Sequence, residues 1–439
     1  MIQTIDLRGR ARDRATLRRL IPRPILDIDV ASSSARDLIG DVSERGESAL
    51  LEQSERFDGV RPQHVRVNAD AIDAALAALD PAVRAALEEA IRRVRAASAA
   101  QVPVATRTEF GSGALVEQRW HPVERVGLYV PGGKAVYPSS VVMNVVPAQV
   151  AGVRSIALAS PAQRQYDGAV HPTILAAAGL LGITEVYAMG GAGAIGAFAH
   201  GVPSIGLEPV DVVTGPGNIF VAAAKRLVKG LVGIDSEAGT TEILVIADAS
   251  ADARLVAADL VSQAEHDEAA ASLLVTDSAP FAAAVERELP AIVASTAHSE
   301  RVATALGGPQ SAVVLVDDLE AAADFSNVYG PEHLELQVED VAALLPLIHS
   351  AGAVFVGPHS PVSLGDYLAG SNHVLPTGGG ARFSSGLGAF TFLRPQQIVT
   401  YSETALETVA PHIVALSTAE DLPAHGEAVT ARFAPRPVD

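Results

Sequence analysis

Through most of this chain, short apolar runs rich in Val, Ile and Leu alternate with longer helical stretches, and that rhythm limits the possible folds most sharply. RVGLYV (125–130), SIALAS (155–160) and TEVYAMG (184–190) are separated by SSVVMNVVPAQVAG and HPTILAAAGLLG. Past Gly239 the pattern resumes with EILVIADAS (242–250), ASLLVTD (271–277), SAVVLV (311–316) and AVFVG (353–357). Between these lie DARLVAADLVSQAEH, PFAAAVEREL and VAALLPLIHSAG, all of helical character. Strand, helix and strand in series build parallel sheets from βαβ units. Two such series predict two lobes with a cleft between them, and ligands in such folds are expected beyond the carboxyl ends of the strands. The fold class is therefore α/β: two Rossmann-like lobes with parallel sheets, plus small, mainly helical appendages at both ends. In the first part, PAVRAALEEAIRRVRAASAAQ (81–101) places Val83, Leu87, Ile91 and Val94 on one helical face, with Pro81 at the start.

Composition excludes several function classes. The 439 residues carry 51 acids against 32 bases, a net charge of −19, which argues against binding to nucleic acid or anionic lipid. There is no apolar run of bilayer length, and the Arg-rich start MIQTIDLRGRARDRATLRRL has no apolar stretch of the kind a secretory signal needs. The expected setting is the cytoplasm. The absence of cysteine removes disulfides, thiolate metal ligands and thiol nucleophiles. A metal site must then draw on His, Asp, Glu, Asn or Gln, which suits zinc or a harder divalent ion.

Three glycine-rich turns follow predicted strands: YVPGGKAVYPSS (129–140), MGGAGAIG (189–196) and TGPGN (214–218). The second contains Gly191-x-Gly193-x-x-Gly196, with Glu208 and Asp211 about 20 residues on, the literal form of a dinucleotide fingerprint. In a chain with 37 glycines, a tight strand-to-helix turn explains that match equally well. The third turn places Asn218 and free backbone N–H groups at a helix start, a setting that suits a pyrophosphate or ribose. Together the three favour a nucleotide cleft.

Of the 12 histidines, most sit in polar surface contexts, and four keep chemically useful company. His266 follows Gln263 by three residues, so the two share a helix face in SQAEHD. His333 follows Glu332 in YGPEHLEL, His373 follows Asp366 by seven residues, and His425 follows Glu420 by five. A set of His, His, Asp and one amide oxygen would serve as a zinc sphere. HExxH is absent, so the usual helical hydrolase arrangement is not present.

RVGLYVPGGKAVYPSSVVMN, GPGNIFVAAAKR, GIDSEAGTTE, DLVSQAEHD, YGPEHLEL, GDYLAGSNHVLPT and AEDLPAHGEAV occur in the order found in histidinol dehydrogenases, and the chain resembles that family over nearly its whole length. The resemblance implies NAD-dependent, zinc-requiring oxidation of L-histidinol to L-histidinal and on to L-histidine, the last step of histidine biosynthesis. It implies zinc ligands at Gln263, His266, Asp366 and His425, the last reaching across from the second subunit of a homodimer together with Glu420. It implies a catalytic pair at Glu332 and His333 and substrate contacts at Thr241, Gln263, His266, His333, Asp366, His373, Glu420 and His425. Tyr129, Gly193 and Asn218 match positions that contact NAD. The family glutamine in GGAQAI is Gly193 here, which makes the GxGxxG match partly an accident of that replacement, and the family's GPSE appears as GTTE. The implied organisation has residues 1–24 packing with the C-terminal appendage. Residues 25–124 with 239–381 form the zinc-side lobe, 125–238 the NAD-side lobe, and 382–439 a dimer-swapped appendage.

The chemistry fits a cysteine-free chain. Aldehyde oxidation by NAD⁺ needs a tetrahedral hydride donor, which many enzymes make as a thiohemiacetal. Here water must add instead, and a base must activate it. The competing readings are a dehydrogenase of the same fold acting on another small polar alcohol, a zinc hydrolase, and a non-catalytic scaffold. Glu420 favours a cationic or imidazole-bearing substrate over a sulfonated one. A hydrolase would bind no NAD, and a scaffold would not need Glu332, His333 and four ligand-type residues together.

Overall fold

Every residue of the strands Glu242–Ala247 and Ala271–Thr276 is buried, because both faces of their sheet are covered, and this is why these runs read as continuously apolar rather than alternating. The computed structural model describes residues 2–23, 28–132, 135–237 and 239–434. They fall into two units, one of Met1–Gln101 with Val123–Phe392 and one of Val102–Pro122 with Leu393–Asp439.

The first unit holds two parallel sheets. The six-stranded sheet runs in the order Gln3–Asp6, Ala312–Leu315, Ala271–Thr276, Glu242–Ala247, His333–Gln337, Ala353–Val356. Successive side chains of its strands go to opposite faces. Ile243, Val245 and Ala247 pack with Val256, Leu260 and Phe281 from the helices Ala253–Ala264 and Ala279–Ser295. Leu244 and Ile246 pack on the other face with Phe325 and Tyr329 of the helix Leu319–Tyr329. Asp252, Ser278 and Asp318 cap these three helices through their side-chain oxygens, each cap contributing about 1 kcal/mol.

The N-terminal segment differs from expectation. Gln3–Asp6 adds an edge strand to Ala312–Leu315, and Leu17 of the helix Arg14–Leu20 joins the core on the Phe325 face. Its sequence, QTID, is too short and too polar to show a strand period.

The five-stranded sheet runs Val186–Ala188, Ser155–Ser160, Arg125–Tyr129, Val212–Thr214, Gly233–Ile234, again all parallel. The helices between residues 28 and 101 belong with this sheet and not with the zinc-side lobe. Ile28–Arg45 packs on Gly191–His200 and Ile219–Val228, Ala69–Ala77 on Pro172–Leu180, and Pro81–Ala100 on Pro138–Ala151. Periodicity shows that a helix has an apolar face but does not say which sheet it covers. On Pro81–Ala100 the buried residues include Leu87 and Val94, while Val83 is exposed.

The second unit extends beyond the expected C-terminal appendage, because the mainly helical tail is joined by residues 102–122. Leu393–Tyr401, Ala114–Pro122 and Thr106–Glu109 form an antiparallel three-stranded sheet in that order. The helices Glu403–Ala419 and Pro423–Thr430 pack against each other, with Leu416, Leu422 and Val399 left exposed. Its 102–122 segment lies far from the tail in sequence, so reading consecutive blocks could not join them. Among the described residues no helix is long and apolar enough to cross a membrane.

Candidate functional site

Thr241, Glu332 and His333 come together where the strands Glu242–Ala247 and His333–Gln337 begin, side by side in the six-stranded sheet. This is the amino edge, opposite to the expected carboxyl edge. The helix Ala253–Ala264 returns antiparallel to the strand it follows, so its last turn brings Gln263 back to that edge. Thr241 Oγ1 donates to Glu332 Oε2 at 2.6 Å and accepts from Gln263 Nε2 at 2.6 Å. The backbone N–H of Glu242 also donates to Glu332 Oε2, at 2.9 Å.

The backbone of Glu242 also fixes the imidazole. His333 Nδ1 lies 3.1 Å from the Glu242 carbonyl oxygen. A carbonyl only accepts, so Nδ1 carries the hydrogen and Nε2 is left with its lone pair. Both catalytic candidates are buried, Glu332 6% and His333 4% exposed. Burial pushes Glu332 up to about 8, against the two hydrogen bonds that favour its charged form, and pushes His333 below its ordinary value. A neutral imidazole with a free Nε2, beside a carboxyl that changes charge near neutrality, is equipped for proton transfer.

Sequence reasoning did not find Glu242, whose contribution here comes through peptide groups. Its side chain points to the opposite face, where Tyr329 donates to it at 3.0 Å and Arg23 stands 3.6 Å away, over the Tyr329 ring. Burial pushes Glu242 up to about 7.

Gln263, His266 and Asp366 form the second cluster. Gln263 is 2% exposed, and with its amide N–H given to Thr241, its Oε1 is buried without any hydrogen-bond donor. An orphaned acceptor of this kind suits a cation. His266 Nε2 and Asp366 Oδ2 stand 4.0 Å apart, too far to hydrogen-bond and close to twice the ~2.0–2.2 Å of a zinc–ligand bond. Burial pushes His266 below its ordinary value, keeping it neutral as a ligand must be. Among the described residues no group of three or more His, Asp or Glu could hold a metal, so this chain offers a partial sphere of one imidazole, one carboxylate and one amide oxygen.

His373 is fully engaged. Its Nδ1 donates to the Asp366 carbonyl at 2.9 Å and its Nε2 accepts from Ser140 at 2.9 Å. Ser140 carries no sequence signal, since it lies 233 residues away. His425 and Glu420 belong to the second unit, on the helix Pro423–Thr430 and at the end of Glu403–Ala419, and both are exposed.

The cofactor candidates lie at the carboxyl ends of the five-stranded sheet, around the point where strand order reverses between Arg125–Tyr129 and Val212–Thr214. Gly215 has φ +122°, and a Cβ there would stand 2.0 Å from the Tyr129 carbonyl oxygen, so the turn closes only with glycine. A buried ion pair holds both its peptide groups. Lys225 Nζ donates to Gly215 O at 2.9 Å and to Asp235 Oδ1 at 2.6 Å, while Asp235 Oδ2 accepts from Gly215 N–H at 2.9 Å. Asn218 caps the following helix by accepting from Phe220 and Val221. A lone lysine in the apolar run IFVAAAKRLV was the available signal for this clamp.

Tyr129 is buried, and its hydroxyl accepts from Gly191 N–H at 3.2 Å. Gly193 and Gly196 have packing roles. A Cβ at 193 would lie 2.1 Å from Gln53 Oε1, and one at 196 would lie 3.1 Å from the Ile39 backbone. Asp211 accepts from Glu124 and Arg125 N–H at the other end of the sheet, away from the glycine turns. The GxGxxG is therefore a helix-packing motif here. Gly133 and Lys134 of the first glycine turn lie outside the described residues.

Two parallel sheets covered by helices, with a buried carboxyl–imidazole pair beside metal-type donors, define an α/β protein whose site is equipped for proton transfer. A family model described as histidinol dehydrogenase matches residues 21–433. The chain is 70% identical to histidinol dehydrogenase of Leifsonia xyli subsp. xyli over 99% of its own length and 100% of that protein. It is 58% identical to the enzyme of Thermobifida fusca, covering 99% and 98%. The crystal structure of histidinol dehydrogenase from Elizabethkingia anophelis superposes with a TM-score of 0.91 at 33% identity, covering 98% of each chain. The chain belongs to the histidinol dehydrogenase family, oxidoreductases of histidine biosynthesis.

Proposed function

We propose that this chain oxidises L-histidinol to L-histidine through L-histidinal in the cytoplasm, using two NAD⁺ and one water. The observation that carries this reading is the His333 tautomer. Its Nδ1–H is tied to the Glu242 carbonyl, leaving Nε2 free to accept the alcohol proton as hydride leaves for NAD⁺. Glu332, held by Thr241 and the Glu242 N–H, takes a proton from the water that adds to the aldehyde. The resulting hydrate supplies the second hydride, with no cysteine needed. Asn218 and the glycine turn before it, with Tyr129 behind them, are the NAD contacts in this reading, while Gly193 packs its helix against Gln53.

Gln263, His266 and Asp366 would hold a zinc ion, and the orphaned Gln263 Oε1 supports that fit. The partner subunit's His425 completes the sphere, with the partner subunit's Glu420 and this chain's His373 near the substrate. When bound, zinc would grip the imidazole and amino nitrogens of L-histidinol and so place its carbinol carbon. The exposed Val399, Leu416 and Leu422 support burial of the second unit in a homodimer.

The test is NADH formed per L-histidinol, with and without a chelator. Two NADH per substrate and a rate lost on chelation are expected. One NADH per substrate, or a rate indifferent to the chelator, overturns the four-electron or the zinc part respectively.

A further inference from the structure

Two carboxyl groups lie directly behind the site and have no part in the chemistry above. Glu335 follows His333 by two residues on the strand His333–Gln337, so both side chains leave the same face of the sheet. Asp259 precedes Gln263 by four residues on the helix Ala253–Ala264, so these two share a helix face. The two carboxyls face each other.

Glu335 is 0% exposed. Its Oε1 accepts from Gln337 Nε2 at 2.6 Å, whereas its Oε2 is buried and meets no N–H or O–H donor. Two ionised carboxylates offer only acceptors and repel strongly at low dielectric, so facing carboxyls with no other donor at the buried Glu335 Oε2 require one retained proton. Burial and the facing Asp259 push Glu335 up to about 9, and burial pushes Asp259 up as well. The strands beside Glu335 present Val245 and Phe355, and Asp259 is the one charged group acting on it among the described residues. Gln263 Nε2 donates to Thr241, and among the described residues no hydrogen bond joins it to this pair.

We propose that Asp259 and Glu335 share a single proton, and that this proton latches the helix carrying Gln263, with His266 just past its end, onto the strand beginning at His333. Both are positioning residues. The latch fixes the metal-type donors relative to the acid–base pair, and its effect on turnover rests on the function proposed above.

The test uses Asp259→Asn and Glu335→Gln, each of which supplies an amide N–H in place of the proton, and Asp259→Leu, which supplies nothing. The first readout is thermal stability against pH. A carboxyl raised in the folded state contributes stability that is present below its unfolded pKa and lost as pH rises through its folded value, from about 4.5 to about 9 here. Asp259→Asn and Glu335→Gln should therefore gain stability relative to wild type across that window, and a constant difference overturns the latch. The second readout is kcat for L-histidinol oxidation. Wild type should fall about tenfold between pH 8 and pH 10 as the proton leaves. Asp259→Asn should fall less than about twofold, and Asp259→Leu should be slow throughout. Parallel alkaline limbs in wild type and Asp259→Asn also overturn it. If wild type makes no NADH from L-histidinol, the functional reading fails, and the stability readout still decides the latch.

Discussion

At His333 and Glu332, two adjacent residues receive opposite treatment from the backbone of one residue: the Glu242 N–H stabilises the carboxylate, and the Glu242 carbonyl selects the imidazole tautomer. Burial holds Glu332 near 8, so its proton-accepting form grows with pH up to that value. The aldehyde half-reaction should accelerate about tenfold per pH unit below pH 8 and level off above it. In Glu332→Gln, stopped-flow assays started from L-histidinal should lose both that slope and most of the rate, by roughly 10²–10⁴-fold. The alcohol half-reaction should lose much less, and equal losses in the two halves would refute the division of labour. Replacing His333 by Asn should slow the alcohol step first. The Glu–His pair and the Gln263–His266 spacing were legible in the sequence because each lies within a few residues. The peptide groups of Glu242 and the hydroxyl of Ser140 were not, because side-chain identity carries no trace of the first and 233 residues separate Ser140 from His373.

Among the elements, the strands were legible where both faces are buried, and their ends agree with the apolar runs to within a few residues. The partners of the early helices were not, because amphipathicity is blind to which sheet accepts it. The turn from Thr214 to Asn218 shows how an element can be set by groups outside it: Lys225 and Asp235, paired with each other, hold both peptide groups of Gly215. Lys225→Met leaves Asp235 buried without its cation and should cost about 3–5 kcal/mol. Adding Asp235→Asn removes the stranded charge while keeping an acceptor for the Gly215 N–H. The double variant should regain at least half of the lost stability in thermal unfolding, and a double variant as unstable as the single one would contradict the clamp.

For the whole molecule, the proposed reading makes each site the product of two chains. Gln263, His266 and Asp366 supply three donors, and the fourth in the proposed reading is the partner subunit's His425. Chains carrying His266→Ala and chains carrying His425→Ala should each be inactive alone. Mixed after unfolding and refolding, they should recover roughly a quarter of wild-type activity, since half of the dimers are mixed and each mixed dimer has one intact site. No recovery, with heterodimers shown by mass spectrometry, would place all four ligands in one chain.

The edge strand Gln3–Asp6 also has a consequence in time. Its partner, Ala312–Leu315, is made some 300 residues later, which at about 5–20 residues per second leaves the strand waiting roughly 15–60 s during synthesis. A strand that must wait so long with its backbone unpaired is safest when short and polar, and QTID is both. The same polarity that conceals it from a pattern search keeps a nascent chain from sticking to its neighbours until its own sheet arrives.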